Sequence, residues 1–462
     1  MDWRDSLGGK LVSPQEAVRA VKPGDQVMVA PFTCTPFTLC EALYERRNEL
    51  RDVRIDHHAS LFRWVREGED SGPSAPLPPG SPGGAGLGGS GDRTGFEVHT
   101  CYATPLDRDG VKAGRVEFLP TARWRADEVP PGWIQEPDVY LVPVSPPDGR
   151  GYCSFGPGVW FSPTFCQRAK TVIAEVHESF IRTGGKNFVH ASQIDYWTEA
   201  QQPTGGAPVP PRTEEETAVT EVICTLAASE LIKDRDTIQV GIGTVSSAIA
   251  LYLHEKHDLG MQTEMVPGGA VDLVDEGVLT GRYKTLHEGK VVGSVLVAMP
   301  PEEMARIDGH PAFELHEFGY CDDVRLLAQQ DNLVATNNAL FVDLTGQVAS
   351  ETIGTRVWTG VGGQTAFAMA AQYSRGGRSI TMLPSSHLLA GERVTRVVPM
   401  LPEGTAVTIP RTFVDYVVTE HGIANLRGKT VRERIGELIA IAHPDFRADL
   451  KAEARRLYGV AV

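Results

Sequence analysis

Residues 21–43, VKPGDQVMVAPFTCTPFTLCEAL, and residues 232–253, IKDRDTIQVGIGTVSSAIALYL, decide the fold of this chain. Lys22 and Lys233, Asp25 and Asp236, Val27 and Ile238, and Val29 and Val240 all stand 211 residues apart. Each stretch reads as the end of a helix, a tight turn, a strand and a loop that opens a new helix. The strand alternates β-branched residues, and the loop carries Gly, Pro, Ser or Thr. A repeat of this kind predicts two related α/β domains facing each other.

Strand and helix patterns alternate outward from these anchors. PDVYLVPVSPP is followed by FCQRAKTVIAEVH, and later come LFVDLTG, TAFAMAAQYS and RSITMLP. This alternation predicts an α/β fold of two open domains with mostly parallel sheets. A chain of 462 residues exceeds one ordinary core and suits such a division. Pro and Gly concentrate in QQPTGGAPVPPRTEEE, residues 201–216, before an acidic helix start. The expected domains are therefore 1–205 and 212–462. Residues 68–95, GEDSGPSAPLPPGSPGGAGLGGSGDRTG, hold almost no large apolar side chain and read as a flexible surface insert. Strand-like residues resume at Phe96. From Thr430 the pattern is helical, interrupted at His443–Pro444.

Charge and cysteine usage exclude several functions. With 44 Lys+Arg against 59 Asp+Glu, the net charge is −15, and the mean field repels nucleic acid and anionic membranes. No apolar run approaches membrane-spanning length, and the charged N-terminus lacks a signal-peptide core. The seven cysteines are scattered and never form a CxxC pair, which argues against disulfides and structural zinc. The expected setting is the cytoplasm.

Three segments are candidates for chemistry. The loop Gly241-Ile242-Gly243-Thr244-Val245 follows a strand and opens a helix, so a ligand can approach the backbone closely and meet free N–H groups. It lacks the third glycine of a dinucleotide fingerprint and the GK[ST] of a P-loop; a packed turn without ligand is the alternative. TGVGGQTAF, with Gly360 and Gly363, repeats the arrangement. Glu264 lies after a strand and before Pro267-Gly268-Gly269, at a sheet edge where α/β sites form. Asp272, Asp275 and Glu276 read as a solvated helix face. His443 and the pair His57–His58 lack partners at metal-ligand spacing, so no metal site is expected. Cys153 reads as a small buried filler.

These segments together resemble the acetyl-CoA hydrolase/transferase family of class I CoA-transferases. The carriers are SPPDGRGYCSFG with AKTVIAEV, QVGIGTVSSAI, TEMV with VDLVDEGVLTG, NNALFVDLTGQVASETIG, GVGGQTAF and VDYVVTEHGIANLRGKTVRERIGELIAIAHPDFR. The resemblance covers nearly the whole chain outside residues 68–95. It implies an active site in the cleft between the domains, with Glu264 of Thr263-Glu264-Met265 as the catalytic carboxylate. It also implies CoA binding by Gly241–Val245, Asn337, Gly360 and Gly363, with Glu420 lining the site. The implied reaction moves CoA from a short-chain acyl-CoA to a carboxylic acid through a glutamyl-CoA thioester. The coenzyme A thioester is then a substrate, no cofactor is permanently bound, and a homodimer is expected. Hydrolysis of acyl-CoA by the same glutamate, or CoA binding without catalysis, are the rival readings. Gln262 where His is common, Pro267-Gly268-Gly269 for Ser-Asp-Gly, and Ala366 before Phe367 depart from the family pattern.

Overall fold

The structure is a computed structural model that describes residues 2–66, 95–121, 129, 132–204, 212–241, 243 and 245–461. The flexible-insert reading of residues 68–95 therefore lies, apart from Gly95, outside the described residues.

Two large sheets organise the described residues, and the strands counted below are those among them. The first has seven strands, all paired in parallel. Their order is Tyr196–Glu199, Thr171–Val176, Val139–Val144, Gln26–Val29, Val53–His57, Phe96–Thr100 and Val116–Phe118. The second has nine strands. Seven of them follow the same path: Tyr416–Thr419, Arg378–Met382, Leu333–Asn338, Thr237–Val240, Gly260–Gln262, Val291–Gly293 and Phe313–Leu315. Gly422–Asn425 adds an antiparallel edge beside Tyr416–Thr419. The duplicated stretches thus supply the central strand of each sheet.

The repeat extends to hydrogen bonds. The Lys22 N–H donates to Asp25 Oδ2 at 2.8 Å, and the Lys233 N–H donates to Asp236 Oδ2 at 2.6 Å. Gly24 and Arg235, at matching positions, both have positive φ (84° and 68°). In each copy an aspartate closes the turn that launches the strand. Their surroundings differ. Asp236 is buried and also pairs with Arg378, whereas Asp25 is half-buried. Asp236→Ala is therefore expected to cost about 3 kcal/mol of stability, because it leaves Arg378 without its carboxylate. Asp25→Ala is expected to cost less than about 1 kcal/mol. Urea unfolding of both variants checks the order.

The halves are knitted together at one edge. Gly184–Gly185, from the first half, pairs in parallel with Phe313–Leu315 and ends the second sheet. The Leu296 N–H donates to Pro157 O at 2.7 Å, and the Val159 N–H donates to Ser294 O at 2.9 Å. Met265, Val295 and Phe318 pack in the same apolar cluster as Trp160 and Phe165. The C-terminal helices are Val431–Ile441 and Arg447–Tyr458, separated by Pro444–Phe446, as the sequence pattern predicts.

Candidate active site

Glu264 occupies the short link between the strands Gly260–Gln262 and Met265–Val266. Its carbonyl accepts the Ser294 N–H at 2.8 Å, which fixes the link against the neighbouring strand. Thr263 fastens the other side: its Oγ1 accepts the Val240 N–H at 3.2 Å and lies 3.1 Å from Val240 O. The end of the central strand and the glutamate are thereby held in register. The Glu264 residue is only 8% exposed.

The turn Gly360–Gly363 closes over this carboxylate. A Cβ built on Gly363 would stand 2.4 Å from Glu264 Oε2 and 2.6 Å from Asp322 Oδ2, so only glycine admits both carboxylates. A Cβ on Gly360 would meet Cys101 O at 2.3 Å, and one on Gly362 would meet Tyr102 Cε2 at 3.5 Å. Tyr102 belongs to the first half, so the site lies on the seam between the two. Arg108 crosses the same seam, with Nε donating to Trp358 O at 2.6 Å and the guanidinium 3.9 Å from the Trp358 ring centre. Asp322, buried in the helix-end segment after Phe318–Cys321, carries no sequence signal because adjacent aspartates ordinarily read as solvated. Burial, then the charges of Asp322 and Glu264, push the neighbouring Cys321 thiol well above its ordinary pKa, which keeps it inert.

The other glycine loop sits one strand away. The Gly241 N–H donates to Thr336 O at 2.8 Å and thus serves the sheet. Ile242 and Thr244 lie outside the described residues. A Cβ on Gly243 would fall 2.2 Å from the Asn338 side chain, and Asn338 Oδ1 accepts the Ser246 N–H at 2.7 Å. The following element is a 3₁₀ helix, Ser246–Tyr252, with Val245 buried at its start. Asn337 exchanges two amide hydrogen bonds with Gln239, at 3.0 and 3.2 Å. Asn338, which sequence reasoning missed, joins the two glycine loops, since its carbonyl accepts Gln364 Nε2 at 2.9 Å. Glu420 lies elsewhere on this edge. It accepts the Ser385 N–H at 2.9 Å and the Ser385 hydroxyl, four strand positions from Gly260–Gln262, roughly 19 Å at the usual strand spacing. The structure brings Glu264, Gly360 and Gly363 together and seats Glu420 against Ser385.

The departures from the family pattern have structural places. Gln262 Oε1 accepts Lys284 Nζ at 3.4 Å, and burial pushes the Lys284 pKa down to about 7. Pro267-Gly268-Gly269 is held by Glu303, which accepts the Gly269 N–H. Ala366 and Phe367 are fully buried in the helix Gln364–Tyr373. Asp272 and Asp275 are half-exposed and pair with Arg306, and Glu276 pairs with His254. Cys153 is buried, its thiol pushed up to about 12 by burial. His443 caps the short helix Pro444–Phe446 by accepting the Asp445 N–H at 3.4 Å.

His58 packs among Tyr102, Trp133, Trp160 and Phe318. His57 Nδ1 accepts the Ser60 N–H at 3.2 Å, so its proton sits on Nε2, 3.6 Å from Asp107 Oδ1. Burial holds the His57 pKa below the ordinary value, against the pull of Asp107 and Asp56. As pH falls through about 6.5, the unfolded chain binds a proton that the folded chain refuses, so stability drops. NMR of labelled histidine is expected to show an imidazole that stays neutral below that pH and whose signal is missing from His57→Gln.

A two-sheet α/β enzyme with a buried glutamate on the seam between related halves is the class that these features define. The acetyl-CoA hydrolase/transferase N-terminal domain family matches residues 95–204, and its C-terminal domain family matches residues 301–454. The chain belongs to the acetyl-CoA hydrolase/transferase family, an enzyme family whose curated relatives are CoA-transferases. It is 34% identical to a 4-hydroxybutyrate coenzyme A transferase of Clostridium kluyveri, over 99% of this chain and 100% of that one. It is 32% identical to a succinyl-CoA:cyclohexane-1-carboxylate CoA transferase of Geobacter metallireducens, over 97% and 95%. Among solved structures, RipA from Yersinia pestis has a TM-score of 0.83 at 29% identity, with 99% of this chain and 100% of that chain covered. A 4-hydroxybutyrate CoA-transferase from Porphyromonas gingivalis has a TM-score of 0.72 at 30% identity, with the same coverage. Among the described residues, no helix is long and apolar enough to cross a membrane.

Proposed function

We propose that this protein transfers coenzyme A from a short-chain acyl-CoA to a carboxylic acid, with Glu264 as nucleophile. The carrying observation is the Glu264 carboxylate, almost buried on the seam between the halves and in contact with the Gly360–Gly363 turn. A carboxylate nucleophile attacks without a separate base, whereas an alcohol must first lose a proton. Its oxygen attacks the thioester carbonyl and expels CoA thiolate, which leaves an acyl-glutamyl anhydride. The thiolate then attacks the glutamyl carbonyl and releases the first acid, which leaves Glu264 as a CoA thioester. A second carboxylate runs the sequence in reverse and departs as its CoA ester, so no proton is gained or lost over the cycle.

The 4-hydroxybutyrate, cyclohexane-1-carboxylate and butyrate named for the relatives support a small monocarboxylate as one partner. The burial of Glu264 favours transfer over hydrolysis, because water has little access to the thioester carbon. The test is an acyl-CoA assay with and without acetate, succinate, butyrate or 4-hydroxybutyrate. Formation of the acceptor's CoA ester is expected. Release of free CoA alone, at a rate no acid changes, would contradict transfer.

A further inference from the structure

The crossover around the far edge of the second sheet assembles three metal-binding side chains that lie far apart or alternate in sequence. His287 comes from the turn before Val291–Gly293, Glu314 from the strand Phe313–Leu315, and His316 from the residue after it. His287 Nδ1 lies 2.8 Å and His316 Nε2 lies 3.3 Å from the same oxygen, Glu314 Oε2. One ligand atom from each of the three residues falls within 4.8 Å of the others. All three side chains are mostly buried, at 13 to 21% exposure. The sequence expectation of no metal site rested on His443 and His57–His58, and this trio is not visible in it.

The hydrogen bonds around the trio set its chemistry. Tyr320 Oη lies 2.6 Å from His287 Nε2, and the Tyr320 ring stacks on His316 at 4.9 Å. The Tyr320 hydroxyl can donate to Nε2 while Nδ1–H donates to Glu314, or it can accept Nε2–H and leave the Nδ1 lone pair facing the carboxylate. In the second tautomer a cation between the two acceptors takes the place that the Nδ1 proton holds in the first. Lys290 approaches Glu314 only through the other oxygen, Oε1, at 3.8 Å, and its ammonium already donates to Pro311 O. The face of Oε2 is thus left to the two imidazoles.

We propose that His287, Glu314 and His316 form a binding site for a divalent cation of the zinc class. Two imidazoles and one carboxylate suit Zn²⁺ or Co²⁺ rather than Mg²⁺ or Ca²⁺. Metal–ligand bonds of about 2.0–2.2 Å need only small side-chain shifts from the observed geometry. Tyr320 is the outer partner that orients His287. The site fastens the strand Phe313–Leu315 to the turn at His287, and the short helix Phe318–Cys321 leads from it directly to Asp322 beside Glu264. Its role is to position that segment, and the proposal does not depend on the reaction assigned to Glu264.

The test uses the tag-free full chain, treated with chelator and then dialysed against Co²⁺ or Zn²⁺ alone. The expected result is one equivalent of Co²⁺ with visible d–d absorption, displaced by Zn²⁺. His316→Ala and Glu314→Gln are expected to abolish the bands, and Tyr320→Phe to weaken binding roughly tenfold. His443→Ala, in the separate His421–His443 contact, is expected to leave them unchanged. A wild-type chain that holds no Co²⁺, or equal binding by wild type, Glu314→Gln and Tyr320→Phe, overturns the site. Circular dichroism confirms that each variant is folded, and the wild-type stoichiometry decides even if His316→Ala is not.

Discussion

Glu264→Ala is expected to reduce turnover on the order of 10⁴-fold or more, since it removes the only atom assigned to form the covalent intermediate. Binding of acyl-CoA is expected to survive, because the substitution removes the nucleophile and leaves the remainder of the chain unchanged. Glu264→Asp keeps the carboxylate but withdraws it by one methylene. A displacement near 1 Å is expected to cost on the order of 10²-fold in kcat. The unfolding transition of both variants is expected to stay close to wild type. Glu264 is held through its backbone, by Ser294 and the neighbouring Thr263, rather than through its side chain alone. Steady-state kinetics beside thermal unfolding separate a catalytic loss from a structural one.

The second large effect is expected at Gly363. Its φ of −86° is one that alanine adopts freely, so Gly363→Ala adds no backbone strain. The added methyl group nevertheless falls 2.4 Å from Glu264 Oε2 and 2.6 Å from Asp322 Oδ2. One or both carboxylates must move by about 1 Å, which predicts a loss on the order of 10²-fold in kcat with the fold retained. Gly362→Ala is the internal contrast. Gly362 has φ of 56°, and its Cβ would meet nothing closer than 3.5 Å. That substitution is expected to cost stability, about 1 kcal/mol, and comparatively little activity. If the two variants lose activity equally, the contact between Gly363 and the two carboxylates is not what matters.

The repeated Lys–Asp turn and alternating strand mark the centre of each sheet in the sequence because both signals are local. An aspartate three residues after its backbone donor, followed by β-branched residues, forms the same turn wherever it occurs. Glu264 and the Gly360–Gly363 turn were legible for a related reason, as a sheet-edge residue and a strand–glycine–helix junction. Their meeting was not, because it depends on which strands neighbour each other. Tyr102 reaches the site from the other half, and Asp322 arrives by a crossover, so nothing near either residue in sequence announces its place. Gly184–Gly185 is harder still: glycines have little strand preference, and they pair here because Phe313–Leu315 leaves an edge to be covered. Glu420 sits in a recognisable motif, but its partner Ser385 is set by the strand order, which the motif does not state.

The most direct measurement is the intact mass of the protein after mixing with acetyl-, propionyl- and butyryl-CoA, beside Glu264→Ala. The wild type is expected to gain the mass of one coenzyme A as a thioester, to lose it when a carboxylate acceptor is added, and to carry the adduct on the peptide containing Glu264. An adduct that persists in Glu264→Ala, or wild-type turnover with no adduct from any donor that is turned over, would contradict Glu264 as the nucleophile.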